Sequence, residues 1–307
     1  MSETVTVYHS MKDLPPEHLL APGTSMCPGC GGLLALHEMQ DVLGRNTVVV
    51  NAAGCMTLLP VYPYTPLPGS WLYTSMASAP AGAQGVRDAL DIRLQKGRLR
   101  TEDDLLVTVL TGDGAAYGMG LSATSAAIER NLDFIYICYD NEGYGNTGQQ
   151  TSSATPHGAR TATATGPHGW GGRKKDLFSI WAAHRPAYVA TAIGSEPLDL
   201  ARKVEKAKRL KGPRLILALA PCPTGWGYDP QQSVEIGRLA VRSGVWPLKE
   251  YENGVVTHTR TPTQRTPVEE YLKPQARFAH LFSPQRDEAR LAELQAEVDA
   301  YWSKVGA

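Results

Sequence analysis

Two short apolar runs, Leu105–Leu110 and Phe134–Tyr139, break off at polar residues. The first stops at Thr111-Gly112-Asp113-Gly114 and the second at Asp140-Asn141, with a helix-patterned stretch, 118–130, between them. Runs of this length, rich in β-branched and aromatic residues, read as strands buried on both faces. The alternation extends in both directions. A helix is expected over Gly31–Leu43, with Leu33, Leu34, Leu36, Met39 and Leu43 largely on one side. Thr47–Val50 reads as a strand, Ser75–Gln95 as small residues turning helical, Tyr188–Ala192 as a strand, Pro197–Leu210 as a helix and Arg214–Ala220 as a strand. Strands alternating with helices predict an α/β fold, a mostly parallel sheet with helices on both faces.

The remaining segments divide the chain. Residues 1–26, with Pro15, Pro16 and Pro22, read as an N-terminal arm. Residues 27–222 hold the α/β pattern. Residues 223–307 read as an extended C-terminal arm, irregular and proline-bearing to 285, that a partner subunit could cover. It ends in an amphipathic helix, 286–304, with Leu291, Leu294, Val298 and Trp302 as its apolar stripe. Residues 141–176 are rich in Gly, Thr, Ser and His, and a loop that long inside a domain is usually functional or disordered.

Cys55, Asp113, Asn141 and Cys222 each fall just past the end of an expected strand. In an open parallel sheet that edge is where ligands bind. Mg²⁺ takes oxygen ligands and shares them with substrate phosphates. Asp113 offers a carboxylate, Asn141 an amide oxygen, and the Gly143 backbone a carbonyl. Gly112 and Gly114 permit a tight turn and close approach of phosphate, and the helix beginning near Gly118 could point its N-terminus at the anion. Gly-Asp-Gly alone is also good chemistry for an ordinary turn. The second strand, ending in Asp140-Asn141, gives it weight.

Cys27-Pro28-Gly29-Cys30 is a CxxC pair, joined at distance by Cys55 and Cys222. Four thiolates suit either a structural zinc ion or an iron–sulfur cluster. Cys30 directly precedes a helix, whose N-terminal partial charge favours an anionic group. Cys138 lies inside an apolar strand and reads as a core residue.

A GDG followed about 25 to 30 residues later by an Asn is the thiamine-diphosphate signature. The runs Asp140-Asn141-Glu142-Gly143-Tyr144-Gly145-Asn146-Thr147-Gly148-Gln149 and Ser153-Ala154-Thr155-Pro156 sharpen it. They resemble the 2-oxoacid:ferredoxin oxidoreductases, specifically the β subunit of the pyruvate type. So do Cys27-Pro28-Gly29-Cys30-Gly31, Asn51-Ala52-Ala53-Gly54-Cys55 and the stretch from Trp246-Pro247-Leu248 to Pro267-Val268-Glu269-Glu270-Tyr271. The resemblance covers roughly residues 20–282.

That resemblance implies a thiamine-diphosphate-binding module of the type that holds the diphosphate. It implies Mg²⁺ held by Asp113, Asn141 and the Gly143 carbonyl, with Gly112, Gly114, Thr147 and Gly148 around the cofactor and Asn146 facing the reacting carbons. It implies one 4Fe–4S cluster on Cys27, Cys30, Cys55 and Cys222. The reaction implied is oxidative decarboxylation of a 2-oxo acid, pyruvate first, with coenzyme A as acyl acceptor and ferredoxin as electron acceptor. Gly143 stands where the family often has a larger residue, which a backbone ligand tolerates. The carboxylate that activates thiamine belongs to a second module not found in this chain, so an α subunit, with γ and δ where present, is expected to supply it. Non-oxidative thiamine decarboxylases or synthases, and branched-chain or aryl (phenylglyoxylate-like) 2-oxoacid oxidoreductases, are the alternatives.

Other functions are excluded by composition. Thirty basic residues balance thirty acidic ones with no basic stripe, so no nucleic-acid footprint is expected. Arg173-Lys174-Lys175 reads as a solvated loop. No run reaches the roughly 20 apolar residues of a membrane span, and residues 1–11 carry no apolar signal region, so a cytoplasmic location is expected. His37 reads as a helix-face residue. His157 and His168 read as loop histidines, with contact to substrate or partner open for His157. Trp170 reads as an anchor for a lid or an interface.

Overall fold

A computed structural model describes residues 8–61 and 63–306. In chain order the elements are α1 (Gly31–Leu43), β1 (Thr47–Ala52), β2 (Ser70–Thr74), α2 (Ala79–Gln95), β3 (Leu106–Gly112), α3 (Leu121–Glu129) and β4 (Phe134–Asp140). There follow α4 (Leu177–Ala183), β5 (Tyr188–Ile193), α5 (Pro197–Arg209), β6 (Pro213–Leu219), α6 (Pro223–Trp226) and α7 (Ser233–Arg242). The last are β7 (Leu248–Glu252), β8 (Val255–Arg260), α8 (Val268–Leu272) and α9 (Glu288–Val305).

The eight strands form one sheet in the order β2-β1-β3-β4-β6-β5-β7-β8. The first six are parallel, and β7 and β8 add an antiparallel edge. β4 shows why both faces are covered. Ile135, Ile137 and Tyr139 pack under α1 and α5, whereas Phe134, Tyr136 and Cys138 face the opposite core. Side chains alternate along a strand, so a continuous apolar run must be buried twice. Each such aromatic or aliphatic side chain contributes about 1.5–3 kcal/mol. Cys138 is fully buried in that core.

The central strands end level with one another. Gly112 pairs with Tyr139, and Asp140 with Leu219. Everything that follows each strand therefore emerges along one edge.

Several expectations are corrected. The helix after β3 does not wait until Gly118: a wide π-helical turn, Gly114–Met119, starts directly after Asp113 and precedes α3. A Cβ at Gly120 would come 3.0 Å from the Ala115 carbonyl oxygen, so glycine lets the two segments join. β2, Ser70–Thr74, lies just before Ser75–Gln95, where no strand was expected. It is a half-exposed edge strand, so no unbroken apolar run announced it.

Residues 223–285, expected to be irregular, carry α6, α7, β7, β8 and α8. Pro223 and Pro230 open helical turns, where the missing N–H costs nothing. Asn253 and Gly254, at φ 50° and 82°, turn the β7–β8 hairpin. Ile236, Tyr271 and Phe278 from this region are buried in the same core as β4, as is Leu291 of α9. Among the described residues no helix is long and apolar enough to cross a membrane.

Candidate active site

The edge formed by the ends of β1, β3, β4 and β6 gathers the residues singled out above. A cleft of about 130 Å³ is lined by Cys55, Gly112, Asp113, Gly114, Asn141, Gly143, Asn146 and Thr147. Asp113 is fully buried at its floor. One end of the Asn141 amide lies 2.7 Å from the Gly143 carbonyl oxygen and 2.8 Å from Asp113 Oδ1. With its NH₂ there the amide hydrogen-bonds to both. With its oxygen there, three oxygens converge as the ligands of a hard cation do. The donor set therefore fits Mg²⁺ in type and in placement.

Backbone geometry makes this convergence possible. Glu142 adopts φ +61°, uncommon for a residue with a side chain. The reversal lets the Gly143 carbonyl turn back toward Asp113. Strain of this kind persists where the surroundings hold it, and they do. Glu142 is buried and its carboxylate meets Lys174 Nζ at 2.9 Å and an Arg277 guanidinium nitrogen at 2.7 Å. Lys174 also reaches Asp140 at 2.7 Å, and Tyr117 donates to Asp140 at 2.6 Å. Arg277 stacks 3.8 Å from the Trp226 ring centre, and Trp226 Nε1 donates to the Asn141 carbonyl at 2.8 Å. Lys174 is therefore not in a solvated loop: its ammonium is drawn inward between two carboxylates.

Protonation follows from this packing. Burial and the neighbouring Asp140 push the Asp113 carboxyl well above its usual range, against the pull of Ser152 and Lys174. Burial raises Asp140 as well, against Lys174. Burial also acts to raise Glu142, but Lys174 and Arg277 outweigh it and hold its pKa down. Burial opposes the Lys174 charge, yet Asp140 and Glu142 outweigh it and raise its pKa.

Ser152 donates a short hydrogen bond to Asp113, and its own Oγ accepts from Ala154 N at 3.0 Å. Thr155 Oγ1 donates to the Glu142 carbonyl at 2.9 Å. The loop 141–176 thus folds against the cleft. Asn146, Thr147 and Gly148 form an exposed turn at its mouth, and Thr147 Oγ1 donates to the Tyr144 carbonyl at 3.2 Å. Gly114 is required here, because a Cβ would come 2.2 Å from the Tyr144 ring. Gln149 fills the space a side chain at Gly143 would take, with Nε2 2.4 Å from that Cβ position.

The four cysteines meet beside this cleft. Asn141 Nδ2 lies 3.9 Å from Cys55 Sγ. Gly31 N donates to the Pro221 carbonyl at 2.9 Å, tying the CxxC segment to the loop of Cys222. Cys30 caps α1, accepting from Leu33 N at 3.4 Å, and Cys222 caps α6, accepting from Gly225 N at 3.3 Å. Burial pushes the Cys55 thiol up to about 12, helped by Cys222, Cys30 and Cys27. Burial likewise lifts Cys222 to about 11. As thiolates the four would repel one another, so ionising them together calls for a cationic centre among them. Among the described residues, no three cysteine sulfurs lie within 4.8 Å of one another.

His157 is tied to the Gly172 carbonyl at 3.3 Å and to Arg290 of α9, so it fastens the loop to the last helix. His168 is exposed. Trp170 exchanges backbone hydrogen bonds with Gly158 and Ala159, both 2.8 Å, which anchors the same loop. Sequence reasoning missed Ser152, Lys174, Arg277 and Trp226. Ser152 and Lys174 lie in the loop already suspected, but nothing local marked Arg277 or Trp226.

Residues 52–218 match the family described as thiamine pyrophosphate enzyme, C-terminal TPP binding domain. The chain is 45% identical over 293 residues to pyruvate synthase subunit PorB of Methanothermobacter thermautotrophicus, covering 94% of this chain and 97% of that one. It is 40% identical over 278 residues to ketoisovalerate oxidoreductase subunit VorB of Pyrococcus horikoshii, covering 87% and 88%. A solved 2-oxoglutarate:ferredoxin oxidoreductase from Magnetococcus marinus, with 2-oxoglutarate, coenzyme A and succinyl-CoA bound, shares the fold. Its TM-score is 0.59 at 20% identity, over 89% of this chain and 96% of that one.

Proposed function

Because the chain belongs to the β-subunit family of the 2-oxoacid:ferredoxin oxidoreductases, we propose that it holds the diphosphate half of a thiamine site beside a 4Fe–4S cluster. With its partner subunit it would oxidatively decarboxylate a 2-oxo acid, pyruvate first. The products are CO₂ and an acyl-coenzyme A, and two electrons leave through the cluster to ferredoxin. One observation carries the reading: the Asp113, Asn141 and Gly143 oxygens converge on one side of the Asn141 amide while Cys55 lies on the other.

Asp113, Asn141 and the Gly143 carbonyl are the residues to hold Mg²⁺, and through it the diphosphate. Thiamine diphosphate, when bound, supplies the nucleophile and electron sink for 2-oxo acid decarboxylation. Gly112 and Gly114 keep the floor of the cleft open for phosphate. Asn146, on the exposed turn, is the candidate to meet the reacting carbons, with Thr147 and Gly148 beside it. Ser152, Lys174 and Arg277 keep the ligand loop in place. Cys27, Cys30, Cys55 and Cys222 are the cluster ligands. A tetrahedral zinc ion would draw its sulfurs to about 3.8 Å of one another, and the wider spacing here favours a larger centre.

The cleft is also too small for a whole cofactor. Small-molecule sites run to roughly 300–1,000 Å³, against about 130 Å³ here. That supports a second wall, with the activating carboxylate, on an α subunit. The gathered cysteines favour the oxidative reaction over a non-oxidative decarboxylase or synthase. The ketoisovalerate relative makes branched-chain 2-oxo acids the second substrate class.

The test is anaerobic co-purification of the native complex and assay of pyruvate, 2-oxoisovalerate and phenylglyoxylate with and without coenzyme A. Pyruvate is expected to bleach the cluster's visible absorption fastest, and turnover to require coenzyme A. A complex whose absorption no 2-oxo acid changes would overturn the oxidative reading. A lone chain that decarboxylates at full rate would overturn the partner carboxylate.

A further inference from the structure

Helix α1 carries a second cluster of ligand-type side chains, away from the sheet edge. Asp41 has its side chain 4% exposed, and its Oδ1 accepts from Leu19 N at 2.7 Å. Its other oxygen, Oδ2, faces two imidazoles at once: His18 Nδ1 at 2.9 Å and His37 Nδ1 at 3.5 Å. The two rings stand 4.9 Å apart at 63°. Among the described residues this is the one group of three whose ligand atoms all lie within 4.8 Å of one another.

A hydrogen-bond network explains only half of this. His18 is within bonding distance of the carboxylate, but 3.5 Å is beyond a good hydrogen bond for His37. Both separations suit ligands of one ion. With metal–ligand bonds of about 2.05 Å, two donors stand about 2.9 Å apart at right angles and about 3.3 Å apart in a tetrahedron. We infer that His18, His37 and Asp41 bind a divalent transition metal of the zinc class. The bond from Leu19 N fixes the carboxylate from behind, as supporting hydrogen bonds do at metal sites. His18, with its side chain 68% exposed, leaves a path for the ion and room for a water as fourth ligand.

The consequence is local and physical. His18 belongs to the segment that precedes the CxxC pair. His37 and Asp41 sit about two and three turns along the helix that Cys30 caps. An ion shared between them fastens the N-terminal segment to α1. The inference stands independently of the proposed catalytic function, because none of the three residues lines the cleft.

The experiment uses the native complex, isolated anaerobically with its iron content measured first, so that the cysteines are occupied. Zinc is added, excess is dialysed away, and bound zinc and Zn²⁺ affinity are measured for wild type and for His18→Gln, His37→Gln and the double variant. Wild type is expected to retain about one zinc per chain. Each single variant should bind at least tenfold more weakly, in line with the roughly 10–100-fold cost of losing even an outer partner. Zinc should slow proteolysis of the N-terminal segment in wild type alone. His18 is exposed and His37 half-buried, so these changes leave the core untouched. Absence of zinc uptake by wild type, or equal uptake by the double variant, overturns the inference.

Discussion

The Asn141 amide nitrogen lies 3.9 Å from Cys55 Sγ, while the other end of the same amide faces Asp113 Oδ1 at 2.8 Å. One side chain therefore touches both the candidate cation site and the candidate cluster site. Replacing Asn141 by Ala should weaken Mg²⁺-dependent thiamine diphosphate binding at least a hundredfold, more than the loss of an outer partner. The iron content should stay at the wild-type level. Calorimetry of the reconstituted complex alongside an iron assay separates the two effects, and loss of iron with intact cofactor binding would reverse the assignment.

Ser152 supports Asp113 from the loop without offering itself to the cation. Ser152→Ala should cost roughly 10–100-fold in Mg²⁺ affinity. Ser152→Thr, which keeps the hydroxyl, should recover part of it. An unchanged affinity in the alanine variant would show that the short bond to Asp113 does no positioning.

Gly114 is held against the Tyr144 ring, with no space for a Cβ. Gly114→Ala should cost about 1–3 kcal/mol by overpacking and close the cleft. Thermal unfolding and cofactor titration read both effects. A variant that binds cofactor normally would mean that the 144–148 turn moves freely.

The sheet edge was legible because each apolar strand ends at a chemically distinctive residue: Asp113, Asn141, Cys55 or Cys222. Local pattern fixes where a strand stops, and parallel pairing then sets those stops level. What holds the ligand loop in place was not legible. Lys174 sits in a basic tripeptide that looks solvated in one dimension, and Arg277 in a proline-bearing stretch expected to be irregular. Their partners, Asp140 and Glu142, lie far away in sequence, and only tertiary folding brings the charges together. The β7–β8 hairpin carried a local sign, Asn253-Gly254, hidden by the prolines around it.

Lys174 neutralises two buried carboxylates, so Lys174→Met should destabilise the chain by about 3–5 kcal/mol, read from chemical denaturation. The sign of its pH dependence follows from the shifts. A lysine with a raised folded pKa contributes stability that is complete below its unfolded value and is lost only as pH rises through the folded one. Glu142, with a lowered pKa, contributes stability present above its unfolded value and lost in acid. Asp140 is raised by burial even beside Lys174, rises further once the ammonium is gone and takes up a proton as pH falls, so the gap between wild type and variant should narrow toward acid and widen as pH rises. A gap that stays level from about pH 4 to 9 would mean that Asp140 does not depend on Lys174 for its charge and that the pairing is weaker than its geometry.

Cys138 is the control that separates cluster ligation from thiol content. It is buried in the core on one face of β4, apart from the other four cysteines, which are less buried. Cys138→Ala removes only a small buried group, so a cost of about 1 kcal/mol is expected, with the iron content unchanged. Cys55→Ser and Cys222→Ser should each lower bound iron from about four per chain and abolish the visible absorption. Of the two, Cys55→Ser should also disturb cofactor binding, because its sulfur lies against Asn141, whereas Cys222→Ser should leave it intact. Equal loss of cofactor in both variants would mean that the cluster as a whole, rather than the Cys55–Asn141 contact, supports the cation site.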